Sequence, residues 1–506
     1  MNLFLIDAIG PFFVGYPRKK INWSKIPFEH LATESPARET QFAQIRADLQ
    51  TFAERIAHIG YNAVSLDDVV HLAYHPDYEP RVRQRIGVFR EEFRRLFADL
   101  HQRGLSIYIT MDILSTTPAL KNSLGNDEQK IEHYLQTLLD GFLSDFPEVS
   151  GVIIRIGECD GLDVKSDFRS DLYLKTPKAL NRTLKALLPI FERHHRKLIL
   201  RTWTVGAYRL GDLIWHRGKL ARALDGIDSD AFVLSMKHGE SDFFRYLPLN
   251  KNFFRTPVQK IIELQTKREY EGCGEFPAFI GHDHQLYAEE LASADNMLGV
   301  SVWCQSGGWV PFRRLAYIGE GSLWTEINTE ITLRIFRYGE SVEQAVQAMF
   351  GNEKSSRILE LLRLSEEVIN ELYYHADFAR QKLFFRRVRI PPLVGVYWNT
   401  VFINQSLRRL LLHFSHDPDT SIRKAEAALK KIKRMRQLAR ELDLPEDDLK
   451  YMQHTLGILA LARQYFYGPE DNEDTKAALK AAKKRYKKTY PKGSRPRYAI
   501  RLNFDP

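Results

Sequence analysis

Eight short runs of apolar and β-branched residues, separated by longer segments of helical pattern, constrain the fold of this chain more than any other feature. A short apolar run bounded by polar residues predicts a buried strand, and strands that alternate with helices are typical of a parallel sheet. Eight such units in about 320 residues favour a closed barrel. The predicted strands cover residues 2–8, 62–66, 105–111, 150–157, 197–203, 231–236, 259–267 and 298–303.

The segments between the predicted strands carry the pattern of amphipathic helices. Residues 39–60, 85–104 and 128–146 place apolar side chains at helical spacing, and the first two end at glycine, which commonly terminates a helix. The turn after the first strand lacks a GxGxxG fingerprint, which disfavours an open, doubly wound dinucleotide-binding sheet. We therefore predict an α/β fold, a (β/α)8 TIM barrel.

The strand pattern stops at residue 325, and amphipathic helices follow one another from there. The final stretch, "YPKGSRPRYAIRLNFDP", shows no periodicity and is predicted to be irregular. The sequence thus predicts two domains. Residues 1–325 form a barrel catalytic domain, and residues 326–506 form an all-helical C-terminal domain.

Composition limits the class of protein. A chain of 506 residues with 44% hydrophobic content can bury large cores. Three cysteines without a CxxC pair argue against a disulfide framework and a structural zinc site. The N-terminal "MNLFLIDAIGPFF" lacks the basic segment of a signal peptide, and no stretch has the apolar length of a membrane span. We expect a cytoplasmic protein with no membrane partner.

The net charge of +9 is concentrated in residues 424–442 and 476–493, which are rich in alanine and lysine and have a helical pattern. Basic helices of this kind suit either a solvated surface or a phosphate-binding surface. No signature of a nucleic-acid-binding fold accompanies them. We favour solvated helix faces and expect no nucleic-acid partner.

Polar side chains follow three of the predicted strands. Glu158 ends "GVIIRIGE", Asp242 follows the strand in "AFVLSMKHGESDFF", and Glu269 closes the polar face of "QKIIELQTKRE". The carboxyl ends of barrel strands carry the active site, so these three carboxyl groups are expected to converge. Converging carboxyl groups suit glycoside hydrolysis. Position alone also allows metal binding, helix capping or ion pairing.

The segments "MKHGESDFF" and "IELQTKREYEG" resemble, in order and spacing, two motifs of the α-glucuronidases of glycoside hydrolase family 67, and residues 323–351 resemble that family's first C-terminal helices. The resemblance implies a (β/α)8 enzyme that removes 4-O-methylglucuronic acid from xylan fragments with inversion. By motif, Glu158 would be the general acid, and Asp242 and Glu269 would act on the water. No cofactor or metal is implied.

A uronic-acid-containing oligosaccharide is the substrate that the resemblance implies, and a uronate needs cations. Lys237 precedes Asp242 by five residues, as the family's carboxylate-binding lysine does, and Arg201 resembles its second cation. An ion pair with a neighbouring barrel carboxylate is the alternative for Arg201. Trp203 and Trp303 are placed either to face sugar rings or to pack at the rim.

The chain also departs from the family pattern. Family members carry a β-sandwich ahead of the barrel, whereas the first strand here is predicted from Asn2. The family's Lys-Asn-Gly-Pro-Ile-Asp becomes Lys-His-Gly-Glu-Ser-Asp, which adds His238 and Glu240 beside the predicted base, and Cys159 replaces a glycine after the predicted acid. We therefore expect a different uronic-acid-capped oligosaccharide, with His238 among its contacts. The family's C-terminal helices form dimers, so a homodimer is expected.

Two other functions stay open. One is a metal-dependent barrel lyase or isomerase that uses His282, Asp283, His284 and Glu158, although "GHDH" is a weak metal motif and a hydrogen-bonded loop is the alternative. The other is a non-catalytic carbohydrate-binding or assembly protein, which only the long helical tail supports.

Overall fold

The structure is a computed structural model. It describes residues 1–16, 25–156, 166–203, 213, 218–305, 314–385, 388–393, 396–397, 400–469, 472–491 and 501–505.

Within these residues, eight parallel strands close into a barrel in which each strand pairs with its neighbours in the chain and the last pairs with the first. The predicted TIM barrel is confirmed, and no strand end differs from its prediction by more than two residues. The runs were easy to place because each strand is buried by helices outside and by the other strands inside. The strands are β1 (Leu3–Asp7), β2 (Ala63–Asp67), β3 (Ser106–Asp112), β4 (Val149–Arg155), β5 (Lys197–Arg201), β6 (Phe232–Lys237), β7 (Lys260–Gln265) and β8 (Met297–Trp303).

Helices follow the strands and cover the outside of the barrel. The three segments predicted from amphipathic pattern are α1, α2 and α4, and Gly60 ends α1 with a φ of 113°, a conformation that suits glycine. The helices are α1 (Ala37–Ile59), α2 (Pro80–Gln102), α3 (Pro118–Leu124), α4 (Glu128–Asp145), α5 (Pro177–Arg193), α6 (Lys219–Ala223), α7 (Asn252–Arg255), α8 (Gly281–Leu291) and α9 (Leu323–Leu333).

The region after α9 is mainly helical, as predicted, but it also contains short strands. Val396–Tyr397, Thr400–Asn404 and Arg501–Asp505 form a small sheet, so the expectation of an irregular tail is wrong for residues 501–505. The further helices are the π-helix Arg334–Tyr338 and α10 (Val342–Phe350), α11 (Asn352–Leu372), α12 (Ala376–Ala379), α13 (Gln405–Phe414), α14 (Pro418–Glu441), α15 (Glu446–Tyr467) and α16 (Glu473–Thr489).

Helix α9 belongs to the outer layer of the barrel by its contacts. The hydroxyl groups of Thr266, just past β7, and Thr329 of α9 lie 2.7 Å apart, and the Asn328 side chain donates to two barrel carbonyls at 3.1 Å. Residue 325, the predicted domain boundary, lies inside this helix. The division into two domains stays a prediction.

Among the helices of the described residues, none combines the length and the apolar character that a membrane-spanning helix requires.

Buried polar contacts join α15 to the barrel loops. Asp448 accepts hydrogen bonds from Arg314 at 2.9 Å and from the Trp324 indole at 2.8 Å, and the Arg314 guanidinium also donates to the Glu275 carbonyl at 2.9 Å. The side chains of Arg314 and Asp448 are only 5% and 6% exposed. Arg314 also lies 3.4 Å from the buried Glu275 carboxylate, so removing Asp448 would take away one of the two carboxylates that pair with this arginine.

We predict that Asp448→Ala lowers the free energy of unfolding by about 3 to 5 kcal/mol, because Arg314 would lose one of its two buried carboxylates and the Trp324 indole would lose its acceptor. Urea-induced unfolding followed by circular dichroism measures the change. Asp447→Ala, at the adjacent exposed position, is the control and should cost less than about 1 kcal/mol. Equal losses in the two variants would contradict the buried pair.

Candidate active site

The lumen of the barrel changes from apolar to charged toward the carboxyl ends of the strands. Its lower part is a small apolar cluster made of Leu3, Leu5, Ala63, Tyr108, Ile153, Ile199, Val233 and Ile261. Because side chains alternate along a strand, the residues two or four positions further on also point inward. The charged and amide residues among them are Asp7, Asp67, Asp112, Arg155, Arg201, Lys237, Glu263 and Gln265.

Asp242 lies in the loop after β6 and is held in its ionised form. Its Oδ1 is 2.6 Å from Lys237 Nζ and accepts the Phe243 backbone N–H at 2.9 Å, and its Oδ2 accepts the Tyr270 hydroxyl at 2.6 Å. Burial alone would raise the pKa of Asp242, but Lys237 and these hydrogen bonds outweigh burial and lower it. The carboxylate is therefore charged at neutral pH.

The pKa of Glu269 is raised, whereas that of Asp242 is lowered. It is buried, and burial together with the negative charge of Asp242 raises its pKa to about 8. Its backbone N–H donates to the Gln265 side chain at 3.0 Å. The prediction that Glu269 lies on the face of β7 is wrong, since the strand ends at Gln265 and the chain turns through Arg268, whose φ is 53°.

These two groups form a carboxyl pair in which one member is ionised and the other protonated at neutral pH. The loops after β6 and β7 meet here, since Tyr270, the residue after Glu269, donates to Asp242 at 2.6 Å, and the convergence of all three predicted carboxyl groups stays a prediction. Environments that separate the pKa values of two carboxyl groups are typical of acid and base assignments in active sites.

Arg201 makes the contact that the sequence left as the alternative, an ion pair inside the barrel. Its guanidinium donates to both carboxylate oxygens of Glu263 at 2.9 and 2.8 Å, and Ser235 donates to the same carboxylate at 2.6 Å. Its guanidinium also lies 4.4 Å from the centre of the Trp303 ring. A substrate contact for Arg201 stays a prediction.

Lys237, the last residue of β6, contacts both a carboxylate and aromatic rings. Besides its ion pair with Asp242, its ammonium lies 3.8 Å from the Trp203 ring centre and 4.5 Å from that of Phe243. The structure thus places each of the two predicted cations against one of the two predicted tryptophans.

His238, which was predicted to contact substrate, packs against the loop after β6 and against helix α8. Its Nε2 lies 3.1 Å from the Phe244 carbonyl, and its ring stacks on Tyr287 of α8 at 5.0 Å. Burial lowers its pKa to about 4, so the imidazole is neutral at physiological pH. The imidazole supports the loop that carries Asp242, and its predicted substrate contact has no support here.

The predicted acid Glu158 and its neighbour Cys159 lie outside the described residues. Their place relative to the carboxyl pair therefore stays a prediction.

The sequence analysis missed an acidic cluster on the other side of the mouth. Asp67, Asp68 and Asp112 end or follow β2 and β3, and Lys25 forms ion pairs with Asp68, at 3.8 Å, and with Asp112. Burial raises the pKa of Asp67 to about 7, whereas Lys25 and Arg155 outweigh burial and hold that of Asp112 at about 2. A signal was available, because each of the first three strands ends in aspartate, in "LFLID", "AVSLD" and "IYITMD".

A buried ionic joint holds the two loops that carry the carboxyl pair. Arg245, from the loop after β6, and Arg268, from the loop after β7, both donate to Glu271 at 3.0 to 3.1 Å. The Tyr374 hydroxyl, which follows α11, donates to the same carboxylate at 2.6 Å. Burial opposes ionisation, yet the two arginines hold the pKa of Glu271 at about 2. The joint therefore fixes both loops against the C-terminal helices.

The "GHDH" segment forms the first turn of α8 rather than a loop. His282 Nδ1 is 2.5 Å from Glu366, His284 Nδ1 is 2.8 Å from the Thr332 hydroxyl, and Asp283 lies 3.9 Å from an arginine. These side chains point to separate partners. Among the described residues, no group of three His, Cys, Asp or Glu side chains is arranged to hold a metal ion.

No family model and no curated protein matches the chain. Among solved structures, a glycoside hydrolase family 138 enzyme that targets pectin rhamnogalacturonan II has a TM-score of 0.57 and 12% identity, and the match covers 96% of this chain and 62% of that one. The chain shares the fold of a glycoside hydrolase.

Two further structures are similar at lower TM-scores. An O-GlcNAc hydrolase of Thermobaculum terrenum has a TM-score of 0.42 and 11% identity, with 88% of this chain and 86% of that one covered. A family 89 glycoside hydrolase of Clostridium perfringens has a TM-score of 0.43 and 11% identity, with 89% and 52% covered. Membership of family 67 stays a prediction.

We predict that the protonation of Glu269 makes stability depend on pH. Its pKa is about 8 in the fold against an ordinary 4.5, so the fold keeps a proton that the unfolded chain releases between these values. Wild-type stability should therefore fall relative to Glu269→Gln as the pH rises from 5 to 8. Thermal unfolding at several pH values measures this, with Glu290→Gln, an exposed position on α8, as the control for removing a carboxylate. A stability difference independent of pH would contradict a protonated Glu269.

Proposed function

We propose that the protein is an inverting, exo-acting glycoside hydrolase that removes a uronic acid from an oligosaccharide, in the manner of an α-glucuronidase. The observation that carries the proposal is the combination of Asp242, ionised beside Lys237, with the buried Glu269, which keeps its proton at neutral pH, in the two loops at the carboxyl end of the barrel. Hydrolysis of an acetal with inversion requires one group to protonate the leaving oxygen and another to take a proton from water.

In the proposed reaction, Asp242 is the base. It is ionised and held by Lys237 and Tyr270, so its orientation is fixed before water attacks. Glu269 keeps its proton and limits the pair to one negative charge beside the water. Glu158 is proposed as the general acid on the strength of the family resemblance.

An anionic sugar is proposed as the substrate because the mouth carries Lys237 and Arg201 beside two tryptophan faces. The family resemblance points to glucuronic acid on xylan fragments. The similar family 138 structure is an enzyme that targets pectin rhamnogalacturonan II, so we also propose pectin-derived oligosaccharides for testing. A homodimer through the C-terminal helices and a cytoplasmic location remain predictions.

The test of this function is the product formed from α-linked uronosides. We expect aryl α-D-glucuronides and uronic-acid-capped fragments of xylan or pectin to be hydrolysed, with the β-anomer appearing first in proton NMR spectra. Asp242→Asn should lower kcat by about 10²- to 10⁴-fold, because a general base contributes that much. Asp228→Asn, exposed at the opposite end of β6, is the control. Initial release of the α-anomer would contradict inversion, and binding without turnover would favour a carbohydrate-binding protein.

A second prediction separates the roles of the carboxyl groups by pH. Because the pKa of Glu269 is about 8, its proton is present at neutral pH and kcat/KM should fall as the pH rises through that value. Glu269→Gln should turn over more slowly but lose this alkaline fall.

Glu158→Gln should lose activity on poor leaving groups and spare activated aryl substrates, which depart without protonation. If Glu269→Gln shows that leaving-group pattern instead, Glu269 is the acid.

A further inference from the structure

The C-terminal helices form a groove that the proposed catalytic function does not use. Helices α14 and α16 both pack on α15 and leave between them a cleft of about 580 Å³. Its volume is comparable to that of a ligand site, and it lies on the helices that carry most of the excess positive charge.

The floor of the groove is an uncovered face of α15. Gln453, Gly457 and Leu461 are spaced four residues apart, so they lie on one side of the helix, and all three line the cleft. A Cβ atom added to Gly457 would meet no atom within 4 Å. Aliphatic side chains of Leu429 and Ile458 complete the floor. An apolar floor of this kind favours aliphatic side chains as its occupant.

The rim of the groove is basic on both sides. Lys430 and Lys433 line it from α14, and Arg485 lines it from α16, and all three are exposed. In the part of the chain that the structure describes, these three cations form no salt bridge. Among the described residues that line the cleft, Glu426 is the one that carries a carboxylate.

Cations on the other face of α14 do form salt bridges, with carboxylates of α11. There Lys431 lies 2.9 Å from Glu371, and Arg434 binds both oxygens of Glu360 at 2.8 and 3.0 Å, all on α11. One helix thus presents neutralised cations to α11 and unneutralised cations to the groove. The groove is complementary to negative charge.

The aromatic side chains at the groove are already engaged. The Tyr486 hydroxyl lies 2.9 Å from that of Thr455, the Tyr490 hydroxyl lies 2.8 Å from His454 Nδ1, and the two tyrosine rings contact each other at 4.9 Å. Sugars and nucleic-acid bases bind by stacking on open aromatic faces. This groove offers an aliphatic floor instead, which favours a peptide.

We propose that this groove binds an acidic amphipathic helix of a partner protein. A helix is about 10 Å wide and inserts apolar side chains at i, i+3, i+4 and i+7 into such a cleft. Its apolar face would cover Gly457 and Leu461, and its carboxylates would meet Lys430, Lys433 and Arg485.

The test uses the full chain and a synthetic, fluorescein-labelled helix of about 20 residues with a leucine stripe and glutamates on both flanks. A scrambled peptide of the same composition keeps the charge and loses the stripe. We expect saturable binding of the first peptide by fluorescence anisotropy and at least tenfold weaker binding of the second. Lys433→Glu with Arg485→Glu should weaken binding at least tenfold. Lys424→Glu with Lys484→Glu, exposed on the same helices outside the groove, should leave it within about twofold.

Gly457→Leu places a side chain in the open space above the floor of the groove, so it should block peptide binding. Leucine is a good helix former, so α15 should stay folded, and circular dichroism checks this. Equal binding of both peptides, or unchanged binding in the Lys433 and Arg485 variant or in Gly457→Leu, would overturn the proposal. So would sedimentation of the wild-type chain as a dimer that Gly457→Leu dissociates, since the occupant would then be a second copy. Tighter binding of a polyuronate or an oligonucleotide that the same variants abolish would also overturn it. None of these outcomes depends on hydrolysis.

Discussion

At the mouth of this barrel the positive charge of Lys237 lies near two carboxyl groups, those of Asp242 and Glu269, and keeps only Asp242 ionised at neutral pH. The chemistry of the site depends on this difference. A buried carboxyl group stays ionised only where a cation or several hydrogen bonds offset the loss of water. Lys237 lies against Asp242, which also accepts two further hydrogen bonds, and Glu269 is left to the combined effect of burial and a neighbouring negative charge. The site is polarised because charge pairing allows one carboxylate and one carboxylic acid, rather than two of either.

Buried ion pairs also join the two loops that carry Asp242 and Glu269. In the ionic joint two arginines share Glu271, which a tyrosine of the C-terminal region also contacts. Arg245 of one loop pairs with Glu271 of the other, so moving the loops apart would break a buried ion pair. The C-terminal helices therefore contribute to the site indirectly, by fixing the loops that position its two carboxyl groups.

The sequence predicted the barrel well because a strand buried on both sides is a continuous apolar run, and it predicted that the loops of Asp242 and Glu269 lie at one rim because the carboxyl ends of parallel strands lie on the same side of a barrel. It could not choose between substrate and Glu263 as the partner of Arg201. Arg201 on β5 and Glu263 on β7 are 62 residues apart in the chain, and strand β6 lies between them, so no local pattern links the two. The pairing of Thr400–Asn404 with Arg501–Asp505 was missed for a similar reason, because short strands remote in sequence carry little pattern of their own.

The distribution of charge also bears on how an anionic substrate would be accepted. The excess of +9 lies largely on α14 and α16, whereas the cations of the mouth are matched by carboxylates, Arg201 by Glu263 and Lys237 by Asp242. In the proposed reaction Asp242 takes a proton from water and loses its charge, which releases Lys237 from its ion pair. The uronate would then become the lysine's partner as the base is neutralised, so an anionic sugar would be bound more tightly along the reaction than at its start. A neutral sugar could not make that exchange, and this difference would select for a uronic acid even though Lys237 and Arg201 are ion-paired in the resting site.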